Sequence, residues 1–189
     1  MEDNTILIYN GKGSVGKTPI SHTLARSLNL KVQTNDVSAI VAHRDITTLT
    51  KELNYQKNTI YDCGGFAAAY ILKLAACVDL VIVPVFYDDS SLVQTNHTLK
   101  QILPIAKKVI VVTTKTEGSE AKLIRKYLNK RFKDLKYFNL PKTKALAYSL
   151  KKGKTIKELI DTSEQHKKWF TGFYKGPFLT LLNYIKKEI

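Results

Sequence analysis

The chain has 189 residues, of which 44% are hydrophobic and 24% charged, a composition that suits one globular domain spanning 1–189. No apolar run approaches the roughly 18 residues of a membrane-crossing helix, and MEDNTILIYNGKG opens with acids and a strand instead of a basic, apolar leader, so a cytoplasmic protein is expected. The formal charge of +14 lies in one half: residues 1–100 hold 9 Lys/Arg and 9 Asp/Glu, residues 101–189 hold 21 and 7, which points the second half at a polyanion such as nucleic acid or an anionic membrane surface.

The first strand reads from Thr5 to Tyr9, and a helix follows from about Thr18 to Asn29. Between them stands Gly11-Lys12-Gly13-Ser14-Val15-Gly16-Lys17-Thr18, a match to GxxxxGK[ST] in the strand–loop–helix context that the motif requires. Glycines let the backbone curl so that successive N–H groups point inward, and the helix N-terminus adds positive potential. Lys17 neutralises the outer phosphates and the Thr18 hydroxyl can hold Mg²⁺, so the loop reads as a cradle for a nucleoside triphosphate.

Lys12 adds a second lysine inside the loop, giving KGxxGKT. With this signature the chain resembles the ParA/MinD family of deviant Walker A ATPases, and the likeness runs over about residues 5 to 160. Its other carriers are Ile60-Tyr61-Asp62-Cys63-Gly64-Gly65, Asp79-Leu80-Val81-Ile82-Val83-Pro84-Val85 and LPKTKALAYSLKKGKTIKEL from Leu140. The resemblance implies a doubly wound α/β fold with a mostly parallel sheet and helices on both faces. It also implies ATP/ADP and Mg²⁺ as ligands, a homodimer with ATP, and a Lys12 that acts on the partner's phosphates. The cradle would be Gly11, Lys12, Gly13, Ser14, Val15, Gly16, Lys17, Thr18 and Pro19, with Lys12 and Lys17 catalytic.

Two positions depart from the family pattern. The residue after Thr18 is Pro19, which lacks the backbone N–H that commonly helps to bind the α-phosphate there. After the second strand, near Leu30 to Asn35, the usual DxD is replaced by Asn35-Asp36-Val37-Ser38. Asp36 is favoured as the water-positioning carboxylate; the other alignment puts Ser38 in that place and makes hydrolysis very slow.

Further strands read at Thr59 to Asp62, Leu80 to Val85, Lys108 to Thr113 and Lys136 to Leu140, with helices near 66–76, 90–103 and 118–132. Asp62 ends an apolar strand, where a carboxylate can hold the Mg²⁺ shell together with Thr18. Cys63 and Cys77 are expected as free thiols, since no CxxC or histidine stands at ligand spacing. The histidines His22, His43, His97 and His166 are scattered and receive no role. Thr113 and Thr114 end a strand where the family places a group against the adenine edge, and the resemblance assigns them that contact.

The helix near 118–132 carries Lys122, Arg125, Lys126, Lys130 and Arg131, several of them at helical spacing, and Lys152 and Lys154 belong to a second basic cluster. These are the expected DNA contacts, salt-sensitive and blind to sequence. Helices near 143–151 and 155–162 precede a C-terminal stretch broken by Gly176 and Pro177. The last helix, from Phe178, spaces Leu181, Leu182, Ile185 and Ile189 along one face, which suits either sheet packing or a membrane surface.

The reading is an ATP-dependent dimerising switch of the ParA type, nucleoid-associated when it binds DNA, with slow hydrolysis stimulated by a ParB-like partner. The alternatives are a MinD-like membrane-associated ATPase, a weakly hydrolysing adaptor in conjugation or plasmid maintenance, and a P-loop metabolic enzyme.

Overall fold

A computed structural model describes residues 4–36, 43–51, 53–64 and 69–189. Its strands are β1 (Thr5–Ile8), β2 (Lys31–Thr34), β3 (Thr47–Leu49), β4 (Thr59–Asp62), β5 (Leu80–Val85), β6 (Val109–Thr116) and β7 (Lys136–Pro141). They form one sheet in the order β3-β2-β4-β1-β5-β6-β7, and every neighbouring pair is parallel. Parallel neighbours cannot be joined by tight hairpins, so helices intervene: α1 (Lys17–Leu28), α2 (Ala69–Cys77), α3 (Asp89–Ile102) and α4 (Glu120–Asn129). After β7 come α5 (Ala145–Lys152), α6 (Ile156–Asp161), α7 (Glu164–Phe173) and α8 (Leu179–Glu188).

The central strands β1, β4 and β5 are buried along their whole length, which explains their unbroken apolar runs. Alternate side chains leave the sheet on opposite faces. Ile6, Ile8, Val32, Ile60 and Ile82 meet α1 and the C-terminal helices on one face, while Leu7, Tyr61, Val81, Val83 and Val111 meet α2, α3 and α4 on the other. The helices that leave β1 and β5 thus go to opposite faces. Where they part, a crevice opens at the carboxyl ends of the central strands, the place where sheets of this kind bind ligands.

Three elements differ from expectation. Strand β3 is three residues long and mostly exposed at the sheet edge, so it carries no apolar signal. Helix α7 was not anticipated as a separate element; Ser163 caps it by accepting a hydrogen bond from the His166 N–H. The chain does not break at Gly176 and Pro177. A π-helical turn, Tyr174–Phe178, joins α7 to α8, and the Leu179 N–H reaches back to the carbonyls of Gly176 and Tyr174, spanning the proline that lacks a donor. The expected helix near 66–76 begins in residues outside the described set and is seen as α2.

Candidate functional site

Between β1 and α1 the loop is anchored from below by Asn10, which is fully buried. Its amide Nδ2 donates to the Pro84 carbonyl at 2.7 Å and to Thr95 Oγ1 at 2.8 Å, and its Oδ1 accepts the Lys12 N–H at 2.9 Å. One side chain therefore ties the loop to β5 and α3. Val15 is buried, and its carbonyl accepts the Thr114 hydroxyl at 3.0 Å. Ser14 and Gly16 both take left-handed backbone conformations, with φ of 61° and 89°, which turn the loop back on itself. Gly16 is also the N-cap of α1 and brings no capping side chain. The N–H groups of the first turn of α1 consequently have no partner within the helix and no cap.

The curl encloses a cavity of about 360 Å³ lined by Gly13, Ser14, Gly16, Lys17, Thr18 and Pro19 from the loop side. Asp36, Cys63, Gly64 and Lys115 line it from the neighbouring strand ends. Lys17 is buried, its Nζ donating to the carbonyls of Asn10 at 3.1 Å and Lys12 at 2.8 Å. Burial pulls the Lys17 ammonium below its ordinary value, while Asp62, Cys63 and Asp36 oppose the shift. Lys12 lies outside the cavity lining, and its backbone is pinned at both ends by Asn10 and Lys17.

Asp62 is 1% exposed, and both of its carboxylate oxygens are buried with no hydrogen-bond partner among the described residues. Burial pushes its pKa up to about 6; the nearby hydroxyls of Thr18 and Ser21 and the Lys17 ammonium favour the ionised form, and Asp36 opposes it. Those hydroxyls stand close without closing a bond, and Ser21 spends its own on the Lys17 carbonyl at 2.9 Å. A buried carboxylate left unmatched beside a loop threonine fits a hydrated divalent cation: Mg²⁺ takes one or two protein oxygens plus phosphates and water, not a cage of side chains. No cluster of three or more His, Cys, Asp or Glu that could hold a metal occurs among the described residues.

Asp36 lines the same cavity, its N–H donating to Thr34 Oγ1 at 3.0 Å, and Ser38 lies outside the described residues. Asn35 had no place in the sequence reading. Its Oδ1 accepts the Gly64 N–H at 2.7 Å and its Nδ2 donates to Tyr70 Oη at 3.1 Å, joining the ends of β2 and β4 to α2. Asn10 and Asn35 share one signal, an amide side chain directly beyond a buried parallel strand.

The two threonines of β6 part company. Thr114 faces α1 and also lines a second cleft with Pro19, Leu140 and Pro141, whereas Thr113 points to the opposite sheet face and its hydroxyl donates to Asn139 Oδ1 at 2.8 Å. The residue of β6 that shares both cavities is Lys115, held at φ 54° in an irregular step of the β6–β7 pairing, with Nζ donating to the Ser14 carbonyl at 3.0 Å.

Lys122, Arg125, Lys126, Lys130 and Arg131 are exposed on and just after α4, and Lys152 and Lys154 are exposed at the end of α5. Since α4 covers one face of the sheet and α5 the other, the two groups are not brought together within one chain. Cys63 is buried and Cys77 exposed, both free. Phe178 at the end of the π turn and Leu181, Leu182 and Ile185 in α8 are buried in the core, so the apolar stripe is used by sheet packing. No helix among the described residues is long and apolar enough to cross a membrane.

Comparison with known proteins places this geometry. The CbiA profile, described as the CobQ/CobB/MinD/ParA nucleotide binding domain, matches residues 6–156. No curated protein matches the chain by sequence. Among solved structures it is similar to apo McdA of Cyanothece, with a TM-score of 0.67 and 11% identity over 98% of both chains. It is also similar to a ParA family ATPase from Chlorobium tepidum TLS, with a TM-score of 0.64 and 12% identity over 87% of this chain and 95% of that one. A third is the septum site-determining protein MinD of Pyrococcus horikoshii OT3 complexed with Mg-ADP, at 0.59 and 13% over 87% and 91%.

Proposed function

The chain belongs to the CobQ/CobB/MinD/ParA nucleotide-binding domain family, and on that premise we propose that it is an ATP-driven, dimerising switch of the ParA type. The observation that carries the reading is Asp62, a buried carboxylate with two unmatched oxygens close to Thr18 and Lys17, which line the cavity of the glycine-curled loop. The similar MinD structure bears Mg-ADP, and the same pair of ligands suits this loop.

The loop N–H groups and the start of α1 bind the phosphates, and Lys17 turns from the Asn10 and Lys12 carbonyls toward them. Thr18 and Asp62 would hold Mg²⁺, which would supply charge neutralisation for the phosphates. Asp36 orients the attacking water from across the cavity. Lys12, outside the lining of its own cavity, serves the partner chain's phosphates, so a complete site needs two copies. The dimer binds DNA through its lysine-rich surfaces, and hydrolysis stimulated by a partner protein releases it. Burial of the α8 stripe supports DNA over a membrane as the matrix.

The test is a titration of slowly hydrolysed ATP analogue with Mg²⁺, followed by retention on duplex DNA at rising salt. Lys17→Ala is expected to abolish binding, and Asp62→Asn to remove its Mg²⁺ dependence. Equal affinity with and without Mg²⁺ in the unmodified chain would refute the reading.

A further inference from the structure

One aromatic site lies apart from the loop. A cavity of about 350 Å³ opens between the β7–α5 turn and α7, lined by Lys142, Thr143, Lys144, Trp169 and Phe170. Trp169 is the chain's only tryptophan and stands 49% exposed. Beneath it Phe170 is buried at 2% exposure, with the His166 ring stacked on it at 5.2 Å and Tyr148 at 5.7 Å. The indole is thus backed by packed rings while much of its surface stays in solvent. Core packing accounts for Phe170 and Phe173 on α7 but leaves the exposure of Trp169 unexplained.

The chemistry beside the indole is cationic. Lys144 is exposed at the N-cap of α5, where the Ala145 N–H donates to Thr143 Oγ1 at 3.1 Å, and Lys142 is a strongly exposed lysine whose ammonium pairs with Glu117. A flat π-face in a cavity that two lysines also line matches one unit of a nucleic acid strand, base against indole and phosphate against lysine. A duplex keeps its base faces stacked inside, so only an unpaired strand offers both parts at once. The surrounding half of the chain, with 21 Lys/Arg against 7 Asp/Glu, favours the same polyanion.

We propose that Trp169, with Lys142 and Lys144, forms a base-stacking subsite for single-stranded nucleic acid. The inference goes beyond the function proposed above and needs neither nucleotide, dimer nor duplex. Thr143 lines both this cavity and the cleft that reaches Pro19 and Gly16, so the subsite adjoins the loop cavity without sharing its phosphate-binding residues.

The experiment titrates nucleotide-free protein with an oligothymidylate of roughly a dozen nucleotides, a length suited to such grooves. Intrinsic fluorescence, which reports Trp169 alone among tryptophans, should be quenched. Labelled-oligonucleotide anisotropy should show roughly tenfold weaker binding for Trp169→Ala, near-normal binding for Trp169→Phe, and a salt slope reduced by about one for Lys144→Gln. Retention of the triphosphate form on duplex DNA should survive Trp169→Ala. Loss of that retention in the unmodified chain would count against the ParA-type reading and leave the subsite standing. Absence of quenching, equal affinity of Trp169→Ala and the unmodified chain, or quenching by anionic phosphatidylserine vesicles but not by oligothymidylate would overturn the subsite.

Discussion

Asp62 carries the sharpest consequence at the level of single residues. Its folded pKa of about 6 lies above the ordinary 3.8, so this group favours folding at low pH, and that contribution is lost as pH rises through 6. The metal needs the ionised form, so Mg²⁺-dependent triphosphate affinity should fall as pH drops through the same window. Asp62→Asn should raise the melting temperature at pH 8 by about 6 to 12 °C, since a shift of about two units corresponds to about 3 kcal/mol in a chain of this size. Melts of both proteins at pH 5 and 8 check this; equal melting points at pH 8 would contradict it. Pro19 lines the cavity without an N–H to offer. Pro19→Thr is expected to tighten ATP by about 1 to 3 kcal/mol in calorimetry, the worth of one charge-assisted hydrogen bond. Two of the histidines left without a role, His22 and His43, are buried and hydrogen-bonded within the fold. Arg26 can only donate to His43 Nδ1 at 3.3 Å, so His43 donates from Nε2 to the Leu150 carbonyl at 2.9 Å. His22 Nδ1 donates to the Thr18 carbonyl at 3.0 Å, and its Nε2 lies 3.2 Å from Thr47 Oγ1. Burial holds His22 at about 4, below its unfolded value near 6.5, so its stabilisation is full above 6.5 and lost as pH falls toward 4. In denaturant titrations at pH 7 and 4, His22→Asn should reduce that acid loss by about 3 kcal/mol.

Among the elements, legibility in the sequence followed burial. Strands β1, β4 and β5 are covered on both faces, so their apolar runs declare them, and the loop between β1 and α1 shows itself through residue types that only a phosphate cradle needs. Strand β3 is a polar edge of three residues with no pattern to read. In α7 and α8 the glycine and proline at 176 and 177 suggest a break that a single π turn absorbs. The residue types after β2 favour Asp36 over Ser38 as the water-positioning group only weakly, because one aspartate stands where the family pattern has two. Lys115 was missed because its direction comes from an irregular strand pairing, which no residue type announces. The buried stripe of α8 leads to a further expectation. Leu181→Ala should cost about 2 to 5 kcal/mol of folding stability by urea titration, as for other fully buried leucines, and leave liposome co-sedimentation at background. Stability unchanged by the substitution would mean that this stripe serves something other than the sheet.

For the molecule as a whole, the sheet puts its loop cavity at the carboxyl ends of β1 and β4 and distributes its lysines over both faces. A single chain therefore presents two separated basic surfaces, and a pair of chains would present four, which suits retention by a long polyanion only in the assembled state. That dependence makes the joining of two chains the central claim, and the solution mass under Mg²⁺ with ADP or slowly hydrolysed ATP analogue its most direct test. Light scattering should give one chain's mass with ADP, twice that mass with the analogue, and one chain's mass again for Lys12→Ala that still binds the analogue. A single-chain mass at saturating analogue, or a Lys12→Ala protein that doubles as readily as the unmodified one, would contradict the account.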